Sequence, residues 1–167
     1  MAERVHPLTT LAAASPACPA AALSAVPPTT RLLVRSEAVL ATIGLSPPAV
    51  CRAHTNGDRS LLWLGPDEFL LLTPNDEPRG SGVVDVSHRD TALTVSGPRA
   101  AWVINAFCAL DLHDTTFPVG MCTRTAFGKA GILLWRTAPD TFRIDVARSF
   151  APYVWACLEE ARHEFLP

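Results

Sequence analysis

The sequence predicts a duplicated α+β domain built from two strand–helix–strands units in tandem. Three observations carry this expectation. A hairpin signature occurs twice, as Trp63-Leu64-Gly65-Pro66-Asp67-Glu68-Phe69 and as Trp135-Arg136-Thr137-Ala138-Pro139-Asp140-Thr141-Phe142. The tryptophans stand 72 residues apart and Pro66 and Pro139 stand 73 apart, a fixed period of the kind an internal duplication leaves. Ahead of each signature, an apolar strand pattern runs into a short helical one.

Residues 1–30 are rich in Ala, Pro and Thr and close on Pro27-Pro28. Proline removes backbone donors, so a flexible or extended N-terminal arm is expected, or an arm that orders on a partner. A single domain then covers 31–167, with halves 31–82 and 83–167. Arg31 to Arg35 reads as a strand. Ser36 is placed to cap a short helix through Ile43, with Gly44 ending it and Val39, Leu40 and Ile43 on its buried stripe. Ala49 to His54 is a candidate strand. Arg59 to Leu64 and Glu68 to Thr73 form a hairpin around Gly65-Pro66-Asp67. Residues 74–82 read as a connector.

The second half repeats the plan. Thr91 to Ser96 alternates as a strand, and Gly97-Pro98 opens a helix. Ala100, Val103, Ile104 and Phe107 fall on one face of it. Strands follow at Met121 to Phe127, Gly131 to Thr137 and Thr141 to Val146. Ser149 is the expected cap of a last helix, with Val154, Leu158, Ala161 and Phe165 on one side. The strand-to-helix junctions are only about 62 residues apart, so the second half carries an extra loop of about ten residues at Cys108 to Val119.

Composition narrows the function classes. Hydrophobic residues make up 49% of the 167, enough for a packed core. The net charge is −2 with no basic stripe or polybasic run, which argues against nucleic-acid or membrane-surface binding. Five widely spaced cysteines argue against a disulfide framework and suit a reducing compartment. Neither CxxC nor HxxxH occurs, so no zinc site is expected. The apolar run Leu11 to Val26 is short, broken by Pro16 and Pro19 and weakly charged upstream, so neither a membrane span nor a signal peptide is expected. A cytoplasmic protein is the expectation.

Candidate chemistry is sparse. Asp85, Ser87 and His88 lie too close on one extended segment to form a triad, and a turn or packing role is expected. His113 lacks a nearby second ligand. Gly57-Asp58 and Gly80-Ser81-Gly82 lack the order of a phosphate loop, and no Gly-x-Gly-x-x-Gly turn is present for a dinucleotide. The remaining candidates suit a subunit interface: Phe107, Leu110, Leu112, His113 and Phe117 in or beside the extra loop, and Arg124, Arg136 and Arg143 on strands of the second half. Apolar loop residues and arginines are common in interfaces; a solvated face is the alternative for the arginines.

Several motifs resemble a known superfamily. Asp85-Val86-Ser87-His88, Ser96-Gly97-Pro98-Arg99-Ala100 and the run Trp135-Arg136 to Asp140-Thr141-Phe142 resemble the folate-binding domain of the glycine-cleavage T-protein, or aminomethyltransferase, family. Within it, Trp63 to Leu70, Leu110-Asp111-Leu112-His113 and Phe117 to Thr125 resemble the γ subunits of heterotetrameric sarcosine oxidases. That resemblance implies a structural subunit without catalytic, cofactor-binding or metal-binding residues of its own. The implied complex demethylates sarcosine to glycine, with formaldehyde or methylene-tetrahydrofolate and hydrogen peroxide as products. The implied α, β and δ partners carry FAD, FMN, NAD, zinc and the tetrahydrofolate site. The superfamily's acidic pair before the Tyr-Arg hairpin aligns here with Ala130-Gly131, so its working carboxylate is missing. Alternatives are a stand-alone folate-binding module and a subunit of a related secondary-amine oxidase complex.

Overall fold

The structure, a computed structural model, describes residues 6–74 and 80–166. Its elements are α1 (Thr9–Ala14), β1 (Ala22–Ala25), β2 (Thr30–Val34), α2 (Glu37–Thr42), β3 (Ala53–Asn56), β4 (Arg59–Gly65) and β5 (Glu68–Thr73). Then come β6 (Val83–Asp85), β7 (Asp90–Ser96), α3 (Ala100–Asn105), β8 (Cys122–Phe127), β9 (Ala130–Ala138), β10 (Thr141–Ala147) and α4 (Ala151–Arg162). Most of the connector expected at 74–82 falls outside the described residues.

Local rules account for most of these elements. Ser36 accepts a hydrogen bond from Val39 N and so caps α2. Gly44, at φ +70°, takes the left-handed conformation that closes it. Six residues are too few for a stable isolated helix. What holds α2 is Leu40, buried among Leu32, Val34, Leu61, Phe69 and Leu71, and a buried leucine contributes about 1.5–3 kcal/mol. Phe150 rather than Ser149 is the residue before α4, and no side chain caps that helix.

The strands form two five-stranded antiparallel sheets, ordered β1-β7-β10-β9-β8 and β3-β4-β5-β2-β6. Read backwards, the second order is β6-β2-β5-β4-β3, element for element the order of the first. The duplication is therefore present in the topology. Each lead-in strand, however, joins the other unit's sheet. β1 pairs with β7 through Ala22↔Ser96 to Ala25↔Leu93, and β6 pairs with β2 through Leu32↔Asp85 to Val34↔Val83. A cut between 82 and 83 thus crosses the strand pairing, and the two halves are interlocked.

The described part of the expected N-terminal arm, residues 6–30, is built into the fold. Leu8, Cys18 and Ala21 are buried, and Ala22–Ala25 is extended because it is an edge strand. Two contacts seat it. The buried Arg162 donates to Ala21 O at 3.0 Å, Pro16 O at 3.0 Å and Ser15 Oγ at 2.6 Å. Gly97, at φ +127°, lets the β7–α3 turn approach so closely that a Cβ there would lie 2.6 Å from the carbonyl oxygens of Pro19 and Ala20.

One face of the first sheet packs on α3 and α4 through Val95, Ile132, Leu134, Phe142 and Ile144, with Val154, Trp155 and Leu158 opposite. The second sheet carries α2 on its outer face. The two inner faces meet through Leu62, Leu70 and Leu72 on one side and Cys122 and Leu133 on the other. Two layers of sheet thus lie between two layers of helix.

The extra loop belongs to this core. Leu112 and Phe117 are both 2% exposed and join the helix-side cluster, while Phe107 and Leu110 pack partly against it. They do not form the exposed apolar surface expected of them. The reason is Arg136, whose buried guanidinium donates to Phe117 O at 2.9 Å and Leu112 O at 3.4 Å and lies 5.1 Å from the Phe142 ring. It satisfies carbonyls that a buried loop would otherwise leave bare.

Candidate interaction surface and buried charges

Strand alternation separates the three arginines that the sequence put together. Arg136 opposes Phe142 in the β9–β10 ladder and points to the helix side, where it holds the loop. Arg143 points between the sheets. Its Nε lies 2.7 Å from Asp145 Oδ2. Arg31 reaches the same carboxylate from β2, with Nε 3.1 Å from Oδ1. Burial by itself raises the Asp145 pKa, but Arg143 and then Arg31 outweigh it, and the carboxyl sits below its usual range. This triad ties β2 of one sheet to β10 of the other. Arg124 alone is largely exposed; its Nη2 lies 2.7 Å from Glu68 Oε1 across the sheets, and Arg35 binds the other oxygen at 2.9 Å.

The remaining candidates have local roles. Asp85 Oδ1 accepts from Ser87 N at 2.8 Å, and Ser87 Oγ accepts from Arg31 N at 2.9 Å. The segment is a turn that fastens β2, with His88 exposed. His113 is exposed and its Nδ1 lies 2.9 Å from Thr115 Oγ1. All five cysteines are free. Burial pushes the Cys122 thiol up to about 12, which removes it as a nucleophile. Among the described residues, no three His, Cys, Asp or Glu side chains are grouped to hold a metal ion, and no helix is long and apolar enough to cross a membrane.

Two features escaped sequence reasoning. A cleft of about 290 Å3 opens between the sheets, walled by Leu33, Leu64, Leu70, Val86 and Leu133, with Arg89, Asp90 and Arg124 also lining it. Gly131 lines it too. Ala130, in contrast, is buried on the helix side. Of these two neighbours only Gly131 faces the cleft, and it brings no functional group. An aromatic patch forms where Phe165 meets Trp102 edge-on, ring centres 5.2 Å apart, with the Arg99 guanidinium 5.8 Å from the Phe165 ring. Trp102 is 49% exposed. The cleft needs two strands distant in sequence, and so carries no local signal. The sequence holds four tryptophans, and no local pattern sets Trp102 apart from the others.

Fold and side chains together define a class: a duplicated α+β domain whose buried charges fasten its own sheets and loops. Residues 33–164 match the family model described as the sarcosine oxidase, gamma subunit family, and the chain belongs to that family. It is 34% identical over 119 residues to a sarcosine oxidase subunit gamma of Corynebacterium sp. strain P-1, a match covering 64% of this chain and 58% of that one. With the strain U-96 subunit gamma it shares 34% over 142 residues, covering 77% and 69%. The aligned segment thus spans less than two thirds of the strain P-1 relative. In three dimensions the chain is similar to a chain of the heterotetrameric sarcosine oxidase from Corynebacterium sp. U-96 in complex with pyrrole 2-carboxylate, with TM-score 0.85 and 32% identity over 98% of this chain and 97% of that one.

Proposed function

We propose that this chain is the γ subunit of a heterotetrameric sarcosine oxidase and serves it as a structural subunit. The observation that carries the reading is the near full-length likeness to a chain of such a heterotetramer. Gly131 supports the non-catalytic part, because it puts no carboxylate where the superfamily has one. On this reading the α, β and δ subunits hold FAD, FMN, NAD, zinc and tetrahydrofolate, the complex works in the cytoplasm, and this chain braces the large subunits.

The test is co-expression with the α, β and δ subunits of such an oxidase, affinity capture on this chain, and assay against a panel of secondary amines. The expected result is a stoichiometric complex that produces hydrogen peroxide from sarcosine, while this chain alone neither oxidises sarcosine nor shows flavin absorbance. Failure to capture any large subunit overturns the reading. Activity on another amine in place of sarcosine replaces the substrate and leaves the structural role intact. Saturable tetrahydrofolate binding by this chain alone would favour a folate-binding module instead.

A further inference from the structure

The cleft between the two sheets is a space that the molecule's own packing leaves unfilled. Leu33, Leu64 and Val86 on its walls are only partly buried, although they sit beside the fully packed leucines of the inter-sheet core. At about 290 Å3 it lies at the lower limit of ordinary ligand pockets, roughly 300–1,000 Å3. A folded side chain or two fits that space far better than a dinucleotide or another extended cofactor does.

Charge identifies the kind of guest. Arg89, Asp90, Arg124 and Asp145 line the cleft. Their ion-pair partners add Glu68, Arg35, Arg31 and Arg143. Five arginines against three carboxylates leave an excess of two positive charges here, on a chain whose net charge is −2. Such a local reversal of sign selects an anionic partner and speeds its approach. Arg89 and Arg124 keep 62% and 50% of their side-chain surface exposed, so both can turn toward an incoming carboxylate.

Resting on the subunit reading above, we propose that this cleft is the anchor socket for a partner subunit: it takes one or two apolar side chains from a segment that also carries acidic residues. The apolar walls exclude water around the anchor, and the arginine rim meets the flanking carboxylates. This is the arrangement of a dominant interface contact, a desolvated centre inside a polar rim. It also gives the non-catalytic Gly131 a use. With no side chain, it leaves open the space that the anchor enters.

Gly131 makes the test clean. Its backbone is not in the left-handed region, and a Cβ there would meet nothing within 4 Å. Its neighbours Ala130 and Ile132 face the helix-side core, so a side chain at 131 projects into the cleft. Gly131→Phe plugs the socket without removing any contact, Gly131→Ala leaves most of it open, and Arg89→Glu alters the rim at an exposed side chain. Each full-length variant is co-expressed with the larger subunits, and its dissociation constant is measured at low and high salt. Thermal melting of the free chain serves as the folding control. Wild type and Gly131→Ala should assemble equally. Gly131→Phe should weaken assembly at least tenfold with an unchanged melting curve, and Arg89→Glu should weaken it at low salt and flatten its salt dependence. If wild type assembles and Gly131→Phe and Arg89→Glu assemble as well as it does, the socket is overturned while the subunit reading stands. If wild type itself does not assemble, the subunit reading falls and the socket with it. Should the plug unfold the chain, Arg89→Glu decides alone. A small molecule found in the wild-type complex by native mass spectrometry and absent from the Gly131→Phe complex would also overturn the proposal.

Discussion

Arg124 on β8 holds Glu68 on β5 at 2.7 Å and so spans the two sheets on the rim of the cleft between them. The Glu68 carboxyl sits below its usual range, first because Arg124 donates to it; burial opposes this, and Arg35 adds to the lowering. Charge reversal, Arg124→Glu, therefore acts on this chain before it acts on any partner. Exposed pairs are worth about 0.2–1 kcal/mol, and replacing attraction with repulsion should cost on the order of 1 kcal/mol in urea denaturation. A double-mutant cycle with Glu68→Gln should return a coupling of that size. Zero coupling would mean that the pair contributes nothing in solution. Any loss of subunit binding by Arg124→Glu has to be read against this cost.

Asp145 is the more demanding charge. It is the shared partner of Arg31 and Arg143 between the sheets. Removing one member of a buried ion pair leaves the rest uncompensated, at roughly 3–5 kcal/mol. Asp145→Ala should lose stability on that scale, and far more than Asp90→Ala on the rim. Because the folded pKa is depressed, the carboxylate's contribution is complete above its unfolded value and is lost as pH falls through the folded one. A loss below about 1 kcal/mol, measured by urea denaturation near neutral pH, would show that solvent reaches the triad.

Gly97 and Arg162 should act on the same distant segment. Gly97→Ala forces a side chain into φ +127° and against the carbonyls of Pro19 and Ala20, with local strain of about 1–3 kcal/mol. Arg162→Met keeps the apolar stem but removes the bonds to Ala21 O and Pro16 O. Hydrogen exchange should accelerate across residues 16–25 in both variants and stay protected in β9 and β10. Uniform acceleration would mean that the N-terminal segment and the domain unfold as one unit.

His6 makes the docking of that segment sensitive to acid. Its Nδ1 accepts from Leu8 N at 3.1 Å, so in the neutral ring Nε2 carries the proton and donates to Thr91 Oγ1 at 2.7 Å. Burial lowers its pKa, and Arg148 and Arg31 lower it further against bonds to backbone at Ala92 and Val26. Since the folded value lies below the unfolded 6.5, the stabilisation is complete above 6.5 and is lost as pH falls from there through the folded value. Amide exchange at residues 8–12, corrected for intrinsic rates, should rise between pH 7.5 and 5 in wild type. In His6→Ala it should be fast at both. A wild-type profile flat over that range would remove His6 as the cause.

Local chemistry made much of this fold legible in the sequence. The Trp63 and Trp135 hairpins, the Ser36 cap, the Gly44 stop and the Val103–Ile104 stripe each depend on residues a few positions apart, so their spacing alone determined them. That Ala130 and Gly131 bring no carboxylate is a matter of residue identity alone. Tertiary structure decided the rest. Strand alternation and cross-sheet pairing sent Arg136, Arg143 and Arg124 to three different environments. The loop's Leu112 and Phe117 were buried because Arg136, far along the chain, satisfies their carbonyls. The exchange of β1 and β6 between sheets rests on backbone hydrogen bonds, which any side chain permits and none announces. The inter-sheet cleft has the same origin: Leu33 and Gly131 meet across it only because two sheets fold face to face.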